Sequence, residues 1–233
     1  FRVGDQIMEL LKWKSPRRDP SERTLGPLLT TYPSARRKAD RAAALALLEE
    51  VQIPDPERAM TKLPGEFSGG QRQRLLIAMA LMTSPDLIIA DEPTTALDVT
   101  IQAQILELMA GLKEKFGMAI MLITHAMGVV AEVTQRVVVM YAGKVVEEAP
   151  VEVLFETPRH PYTQGLIRSI PRIDRSATHR ARLEAIGGTV PSILNLPVGC
   201  RFADRCKFAM PECRAAEPPL REVAPGHKVA CIL

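Results

Sequence analysis

Two adjacent carboxylates, Asp91 and Glu92, follow directly on the apolar run of residues 87–90. A short apolar run after Ser84-Pro85-Asp86 is typical of a buried parallel strand, and ligands of open α/β sheets bind beyond the carboxyl ends of such strands. One carboxylate there can hold Mg²⁺, and its neighbour can orient or deprotonate an attacking water. The pair indicates phosphoryl-transfer chemistry, although a solvated loop start gives two adjacent acids about as often.

A second candidate site lies some twenty residues earlier in the chain. Ser68, Gly69 and Gly70 precede Gln71 and the apolar residues 75–81. A Ser-Gly-Gly turn that leads into an apolar segment predicts a helix N-terminus whose free N–H groups can approach an anion closely. Taken alone, the same turn is also explained by a plain capped helix, because Ser and Gly are common N-caps.

Further elements must position these groups. Apolar residues at helical spacing predict helices over residues 1–11 and 35–51, the latter with Ala42, Leu45, Leu48 and Val51 on its apolar stripe. The basic cluster of residues 36–38 is interpreted as a solvated helix face. Asp98 precedes a helix over residues 99–115, and a buried strand over residues 118–123 delivers His125 to the same sheet edge as Glu92. A hairpin turns at Ala142-Gly143.

The order and spacing of these motifs resemble the ATP-binding cassette (ABC) ATPases. Residues 67–71 are similar to the family's Leu-Ser-Gly-Gly-Gln signature, with Phe67 in place of Leu, residues 87–92 to its Walker B strand, and residues 96–98 to its D-loop. The resemblance implies that Ser68, Gly69, Gly70, Gln71 and Asp98 serve ATP binding, the signature facing the γ-phosphate of an ATP held by a second subunit.

The resemblance also implies roles for three single residues. Asp91 would serve Mg²⁺, Glu92 would be the general base for the hydrolytic water, and His125 would be the switch histidine that contacts the γ-phosphate. Ala126 departs from the family pattern, which has Asp after that histidine. The lost carboxylate is expected either to leave local backbone groups uncapped or to loosen a dimer contact.

The implied fold class is α/β, the P-loop NTPase-like fold of ABC ATPases, in partial form. Residues 1–66 correspond to a helical subdomain, residues 67–156 to the C-terminal part of the parallel sheet with the motifs above, and residues 157–233 to a small Cys-rich extension. The P-loop sequence Gly-x-x-x-x-Gly-Lys-Ser/Thr occurs nowhere in these residues. We therefore expect an N-terminally truncated cassette that hydrolyses no ATP on its own.

Composition excludes two other classes. The 233 residues include 30 basic and 27 acidic side chains and 4% aromatics, which argues against nucleic-acid binding. No apolar run is long enough to span a bilayer, so any membrane association is expected to run through a partner.

The C-terminal part predicts the branch of the family and a metal site. Residues 158–171, with Pro161-Tyr162-Thr163, resemble the tail of the oligopeptide/dipeptide branch, and Cys200, Cys206, Cys213 and Cys231 have spacings of 5, 6 and 17 residues. Four clustered thiols in a reducing compartment favour a metal over disulfides, and the gaps exceed the C-x₂₋₄-C pairs of zinc sites. Thiolates at longer gaps suit a [4Fe–4S] cluster, which the resemblance also implies. Zinc and free or oxidised thiols remain alternatives.

The resulting hypothesis is the ATPase subunit of an ABC importer for di- and oligopeptides, peripheral to the cytoplasmic face of the bacterial inner membrane. The resemblance implies a second ATPase subunit, two permease subunits and a solute-binding protein as partners, with ATP and Mg²⁺ as cofactors. Import of nickel, glutathione or another small solute is the alternative within the class. A soluble ABC ATPase of translation or repair is the alternative from another class, and it has no reason to carry the cysteine tail.

Overall fold

Helices predominate in the first part of the chain and antiparallel strands in the second. The computed structural model describes residues 1–18, 32–170 and 186–233, and the chain divides into two units, residues 1–124 and 125–233. The first unit contains α1 (Val3–Lys14), α2 (Ser34–Glu50), α3 (Pro56–Ala59), a 3₁₀ turn (Pro64–Glu66), α4 (Gly69–Leu81), β1 (Leu87–Asp91), α5 (Val99–Phe116) and β2 (Ala119–Ile123). The helices predicted over residues 1–11, 35–51 and 99–115 are thereby confirmed.

The inner face of α2 differs from the predicted apolar stripe. Leu48 and Val51 are buried as predicted, but Ala42 is exposed, and Arg36 and Asp40 take up the N-terminal half of the buried face. The interpretation of residues 36–38 as a solvated face is therefore wrong for Arg36. Arg36 can be buried because it pairs with Asp40 on its own helix and donates to carbonyl oxygens at the end of α1, and helical periodicity does not reveal the latter contacts.

A buried polar cluster joins the C-terminal end of α1 to α2. Asp40, which is fully buried, accepts hydrogen bonds from the hydroxyls of Ser15 (2.6 Å) and Tyr32 (2.9 Å) and from the guanidinium of Arg36 (3.3 Å). The same guanidinium donates to the carbonyl oxygens of Leu11 (3.2 Å) and of the next residue along, at the end of α1. Terminal helix carbonyls lack intrahelical donors, so Arg36 caps one helix from another.

The two strands of the first unit form a parallel pair. Residues Leu87 to Asp91 lie in register with Ala119 to Ile123. The prediction that both are strands is confirmed, but they are only half-buried, with Ile89 61% and Met121 51% exposed. Parallel sheets are normally covered on both faces, so this apolar face is an unusual surface for a pair of strands.

The second unit is built on a four-stranded antiparallel sheet. Its elements are α6 (Met127–Val133), β3 (Arg136–Tyr141), β4 (Lys144–Pro150), α7 (Val151–Glu156), α8 (Pro161–Arg168), a 3₁₀ turn (Ala203–Arg205), α9 (Pro211–Ala215), β5 (Arg221–Ala224) and β6 (His227–Val229). The strand order is β3-β4-β6-β5. The predicted hairpin at Ala142-Gly143 is confirmed, and its second strand continues to Pro150.

Glu147 is the polar centre of the second unit and was not singled out from the sequence. Its carboxylate is fully buried, accepts the backbone N–H groups of Arg159 (2.7 Å) and His160 (3.0 Å), and lies 2.7 Å from Nε2 of His227. These contacts join β4 to the turn before α8 and to β6. The register of β3 and β4 shifts between Val139 and Met140, which leaves Val146 of β4 as the extra residue. Val146 and Glu147 are therefore both buried, and a period-two pattern gave no signal for a buried acid.

None of the helices within the described ranges is both long and apolar enough to cross a membrane.

Candidate functional site

The turn before α4 has the geometry of a helix N-terminus open to solvent. Ser68 is the N-cap: its hydroxyl accepts the N–H of Gln71 (3.3 Å), and the Gln71 side-chain oxygen accepts the N–H of Ser68 (3.1 Å). This reciprocal capping box fixes the direction of the first turn. Ser68 and Gly69 are exposed, so the free N–H groups of that turn face solvent.

The two glycines are required by close packing. A methyl group at Gly70 would lie 2.7 Å from Cγ2 of Ile101, and one at Gly69 would lie 3.2 Å from Cδ2 of Leu97. The start of α4 is thus held against the segment that leads into α5. The signature-like turn therefore lies close to Asp98 in the structure. The order of the residues in the sequence could not establish this.

Asp98 begins α5. Its carboxylate accepts the N–H of Ile101 at 3.0 Å, so its first structural role is that of an N-cap. Because the side chain is exposed, a second oxygen remains open to solvent.

Asp91 and Glu92 leave the sheet at the carboxyl end of β1. Asp91 is exposed and lies opposite Ile123. Glu92 donates its N–H to the carbonyl of Ile123 (2.9 Å), has a left-handed backbone (φ +47°), and accepts a hydrogen bond from the Thr95 hydroxyl at 2.8 Å. A non-glycine residue in that region costs of order 1 kcal/mol or more and occurs most often at functional sites.

The structure also describes His125, Ala126 and Arg74. His125 is exposed and opens the second unit, so its predicted contact near Glu92 stays a prediction. Ala126 is the N-cap residue of α6 and makes no side-chain cap, which matches the first of the two consequences expected for a lost Asp. Arg74 of α4 donates to the Val51 carbonyl (3.1 Å) and the Gln52 side chain (2.9 Å), at the end of α2.

The four cysteines line one small cavity in the second unit. Cys200, Cys206, Cys213 and Cys231 surround about 10 Å³ of space together with His160, Phe202 and neighbouring apolar residues. The shared cavity is formed by segments far apart in sequence, since Cys231 follows β6 and His160 precedes α8. The sequence spacing predicted a cluster of thiols, and the structure brings all four together.

Local backbone contacts hold the first three cysteines. The N–H of Cys200 donates to the Cys213 carbonyl at 2.7 Å, and the N–H of Met210 points to Sγ of Cys213 at 3.4 Å. Gly199 lies so close to the backbone at Cys213 that no side chain fits there. This contact explains the glycine next to the first cysteine.

Burial sets the protonation of the cavity groups. It raises the pKa of the Cys200 and Cys206 thiols, and it lowers the pKa of His160 to about 4 against the opposing attraction of the Glu147 carboxylate. Without a cation the thiols of Cys200 and Cys206 and the imidazole of His160 are therefore neutral. Thiolates would form here when a metal supplies the compensating charge.

The donor set fits a soft metal, but not a single ion in the present arrangement. In the described ranges no group of three or more His, Cys, Asp or Glu side chains is spaced to hold one metal ion. Zinc requires four ligands at about 2.0–2.3 Å from one point, whereas an iron–sulfur cube takes one thiolate at each of four separated irons. As arranged in the described residues, the four thiols are not spaced to hold a metal, so the predicted cluster and the zinc alternative both stay predictions.

Comparison with known proteins agrees with these features. A family model for ABC transporters matches residues 5–95, and one for the oligopeptide/dipeptide transporter C-terminal region matches residues 146–213. A peptide import ATP-binding protein of Brucella melitensis is 52% identical over 235 residues, covering 100% of this chain and 64% of the relative. The oligopeptide transport ATP-binding protein AppD of Bacillus subtilis is 50% identical over 231 residues, covering 99% and 64%.

Solved structures show the same fold. A metal-chelate type ABC transporter in an inward-facing conformation aligns with a TM-score of 0.54 and 19% identity over 72% of this chain and 57% of its own. An ABC transporter cassette in its ADP conformation aligns with a TM-score of 0.53 and 21% identity over 70% and 62%.

Fold and motif order define an ATP-binding cassette of the P-loop NTPase-like α/β class. Because the two family models match successive parts of one chain, the chain belongs to the ABC transporter ATP-binding family, in its oligopeptide/dipeptide branch. It spans about 64% of the length of the Brucella and Bacillus relatives.

Proposed function

We propose that the protein containing this chain is the ATP-binding and ATP-hydrolysing subunit of an ABC importer that energises uptake of di- and oligopeptides. The observation that carries this proposal is the succession, on one chain, of an ABC cassette and an oligopeptide/dipeptide-type C-terminal region. The relatives named for peptide import match over both regions. The translation or repair alternative finds no support among them.

The signature-like turn is suited to a phosphate group. Because the Ser68 hydroxyl accepts the Gln71 N–H, its own proton can be donated to a phosphate oxygen. Gly69 and Gly70 add backbone N–H groups at the positive end of the α4 dipole. In the proposed assembly this turn binds the γ-phosphate of an ATP that a second subunit holds, and Asp98 lies beside that contact.

The carboxylates at the end of β1 are assigned to the ATP of their own subunit. Asp91 is the residue that would hold Mg²⁺, which would neutralise charge on the phosphates. Glu92, fixed by its turn and by the Thr95 hydroxyl, would take the proton of the hydrolytic water. His125 would contact the γ-phosphate as the switch histidine.

Substitution of the proposed base tests the function. In the intact protein we expect Glu92→Gln to bind ATP but to lose at least about 100-fold in hydrolysis rate, because general-base catalysis contributes roughly 10²–10⁴-fold. Glu107→Gln is the matched control, since Glu107 is exposed on α5. Steady-state phosphate release and nucleotide retention would be measured. Hydrolysis by Glu92→Gln at the control rate would refute the assignment.

The proposed partners are a second ATPase subunit, two permease subunits and, through them, a solute-binding protein. This proposal places the protein peripherally on the cytoplasmic face of the bacterial inner membrane. Uptake of labelled dipeptide by cells that lack the gene would fall if peptides are the cargo. Retained dipeptide uptake with loss of nickel or glutathione uptake would favour the alternative solutes.

We further propose that Cys200, Cys206, Cys213 and Cys231 hold a [4Fe–4S] cluster. Support comes from the one small cavity that all four thiols line. The cluster would add stability and a redox-active centre to the second unit. Iron and acid-labile sulfide are expected in anaerobically purified protein and not in a Cys206→Ser variant. An iron-free wild type would contradict the proposal.

A further inference from the structure

The positive charge of the chain is concentrated in one segment. Residues 12–41 contain nine basic and three acidic side chains, which gives this segment a formal charge of +6. The whole chain has a formal charge of +3, so the residues outside the segment together carry −3. A distribution this uneven favours an interaction between the basic segment and an anionic partner.

The described part of this segment, residues 12–18 and 32–41, forms a corner between α1 and α2. Arg36 reaches from α2 to the carbonyl oxygens of Leu11 (3.2 Å) and Lys12 (3.3 Å), and the Ser15 hydroxyl donates to Asp40 at 2.6 Å. The basic residues at the end of α1 therefore lie close to those at the start of α2. Asp40, the one acid in these two ranges, is fully buried and pairs with Arg36, so it offers no negative charge at the surface.

Helix stability does not account for all of the exposed cations at this α1–α2 corner. Lys14, in the last turn of α1, interacts favourably with the helix dipole. Arg37 and Lys38 are exposed near the start of α2, where the first turn contains no acid and Pro33 provides no side-chain cap. The dipole disfavours cations at that end of a helix. Residues that break a local rule in this way are expected where function requires them.

Trp13 is half-buried in the middle of these charges. Lys12 Nζ lies 5.3 Å and Arg18 Cζ 5.8 Å from the centre of the indole ring, whose Nε1–H donates to Glu9 at 2.8 Å. An indole ring with basic side chains beside it is typical of the headgroup layer of a bilayer. There the ring lies at the boundary between acyl chains and water, and the cations reach the phosphates.

We propose that the α1–α2 corner binds the anionic phospholipid headgroups of the membrane directly. The inference rests on the proposed location at the inner membrane, but not on ATP hydrolysis. Arg37 and Lys38 are consecutive on a helix and project about 100° apart, which suits a surface of many phosphates better than a single anionic group. The residues outside the segment, with their net charge of −3, gain nothing from the same surface, so the corner is the part that faces it.

Vesicle binding by the purified intact protein, without permease subunits, tests the proposal. We expect the protein to sediment with vesicles of phosphatidylcholine and phosphatidylglycerol, and not with vesicles of phosphatidylcholine alone. Lys14→Gln combined with Lys38→Gln should weaken binding at least about tenfold, because each basic residue near an anionic bilayer strengthens binding roughly fivefold. Arg2→Gln combined with Arg221→Gln is the matched control, since it removes the same charge from exposed residues outside the corner and should change binding by less than about twofold.

Trp13 provides a second readout on the same samples. The fluorescence that Trp13→Phe removes is the emission of this indole, and it should shift to shorter wavelength when anionic vesicles are added. Raising the salt concentration from about 0.1 to about 1 M should reverse the shift, because the Debye length falls from about 10 to about 3 Å.

Three results would overturn the proposal. The first is equal weakening by the corner variant and the control variant, and the second is equal binding to charged and uncharged vesicles. The third is no binding to either vesicle type; loss of permease binding in the corner variant would then assign the surface to a protein partner. ATP hydrolysis and dipeptide uptake by the same variants test the proposed function separately, because none of the changed residues belongs to its site.

Discussion

Gly70 shows how one residue type can serve both packing and binding. Its α-carbon faces Ile101 across a gap that has no room for a methyl group, and its neighbour Gly69 is nearly as close to Leu97. The same two residues place free N–H groups in the first turn of α4. Packing therefore favours glycine at both positions of this turn, whether or not a phosphate is bound.

This reasoning predicts opposite effects for two Gly→Ala substitutions. Gly70→Ala should destabilise the protein by about 1–3 kcal/mol, because the new methyl group would lie 2.7 Å from Ile101. Gly111→Ala, at an exposed position in α5 with nothing within 4 Å, should stabilise it by about 0.5–1 kcal/mol through helix propensity. Urea denaturation of both variants would measure the difference. Equal stabilisation by both would show that the helices are not packed as described.

At the scale of elements, buried charged residues join segments that the apolar core does not. Asp40 and Arg36 link α1 to α2, and Glu147 links β4 to β6 and to the turn before α8. Arg36 donates to backbone carbonyls at the end of α1, and Glu147 accepts backbone N–H groups of the turn before α8. Buried charges of this kind depend on their partners, since removal of one leaves the other uncompensated.

We predict that Asp40→Ala lowers the free energy of unfolding by about 3–5 kcal/mol, because it leaves the buried guanidinium of Arg36 without its carboxylate. Glu49→Ala, exposed on the same helix, should change stability by no more than about 0.5 kcal/mol. Chemical denaturation monitored by circular dichroism provides the comparison. A cost for Asp40→Ala no larger than that of Glu49→Ala would mean that the cluster does not hold α1 against α2.

At the scale of the whole molecule, the proposed site is divided between copies. The signature-like turn would act on a neighbour's ATP, and Asp91 with Glu92 on the ATP of its own subunit. If one copy has a defective signature-like turn and its partner has a defective Glu92, the mixed dimer still contains one site in which both groups are intact. If each site were contained within a single copy, both sites of the mixed dimer would be defective.

Mixing two inactive variants tests this arrangement in a protein that pairs with itself. Ser68→Arg and Glu92→Gln should each abolish hydrolysis. An equimolar mixture should recover about a quarter of wild-type activity, because half of randomly formed dimers are mixed and each has one intact site of two. The subunits are dissociated and re-associated before the assay so that mixed dimers can form. Each variant taken alone through the same procedure is the control. No recovery would argue for sites within single copies.

Residue types and spacing alone predicted most elements and the chemical class. Capping residues, apolar runs and turn glycines act locally, so α4, α5, α6 and the hairpin could be read from a few neighbouring positions, and the motif order identified the family. Arg36 and Glu147 were exceptions, because the burial of each depends on partners in other segments of the chain.

The tertiary structure alone decided which distant groups meet. It placed the turn at Gly70 against the start of α5, enclosed four cysteines and His160 in one cavity, and brought Arg74 to the end of α2. These outcomes follow from packing between segments 20 to 80 residues apart, and a local pattern contains no information on such distances. The sequence by itself therefore determined the kind of chemistry, and the fold determined which side chains stand close enough to share it.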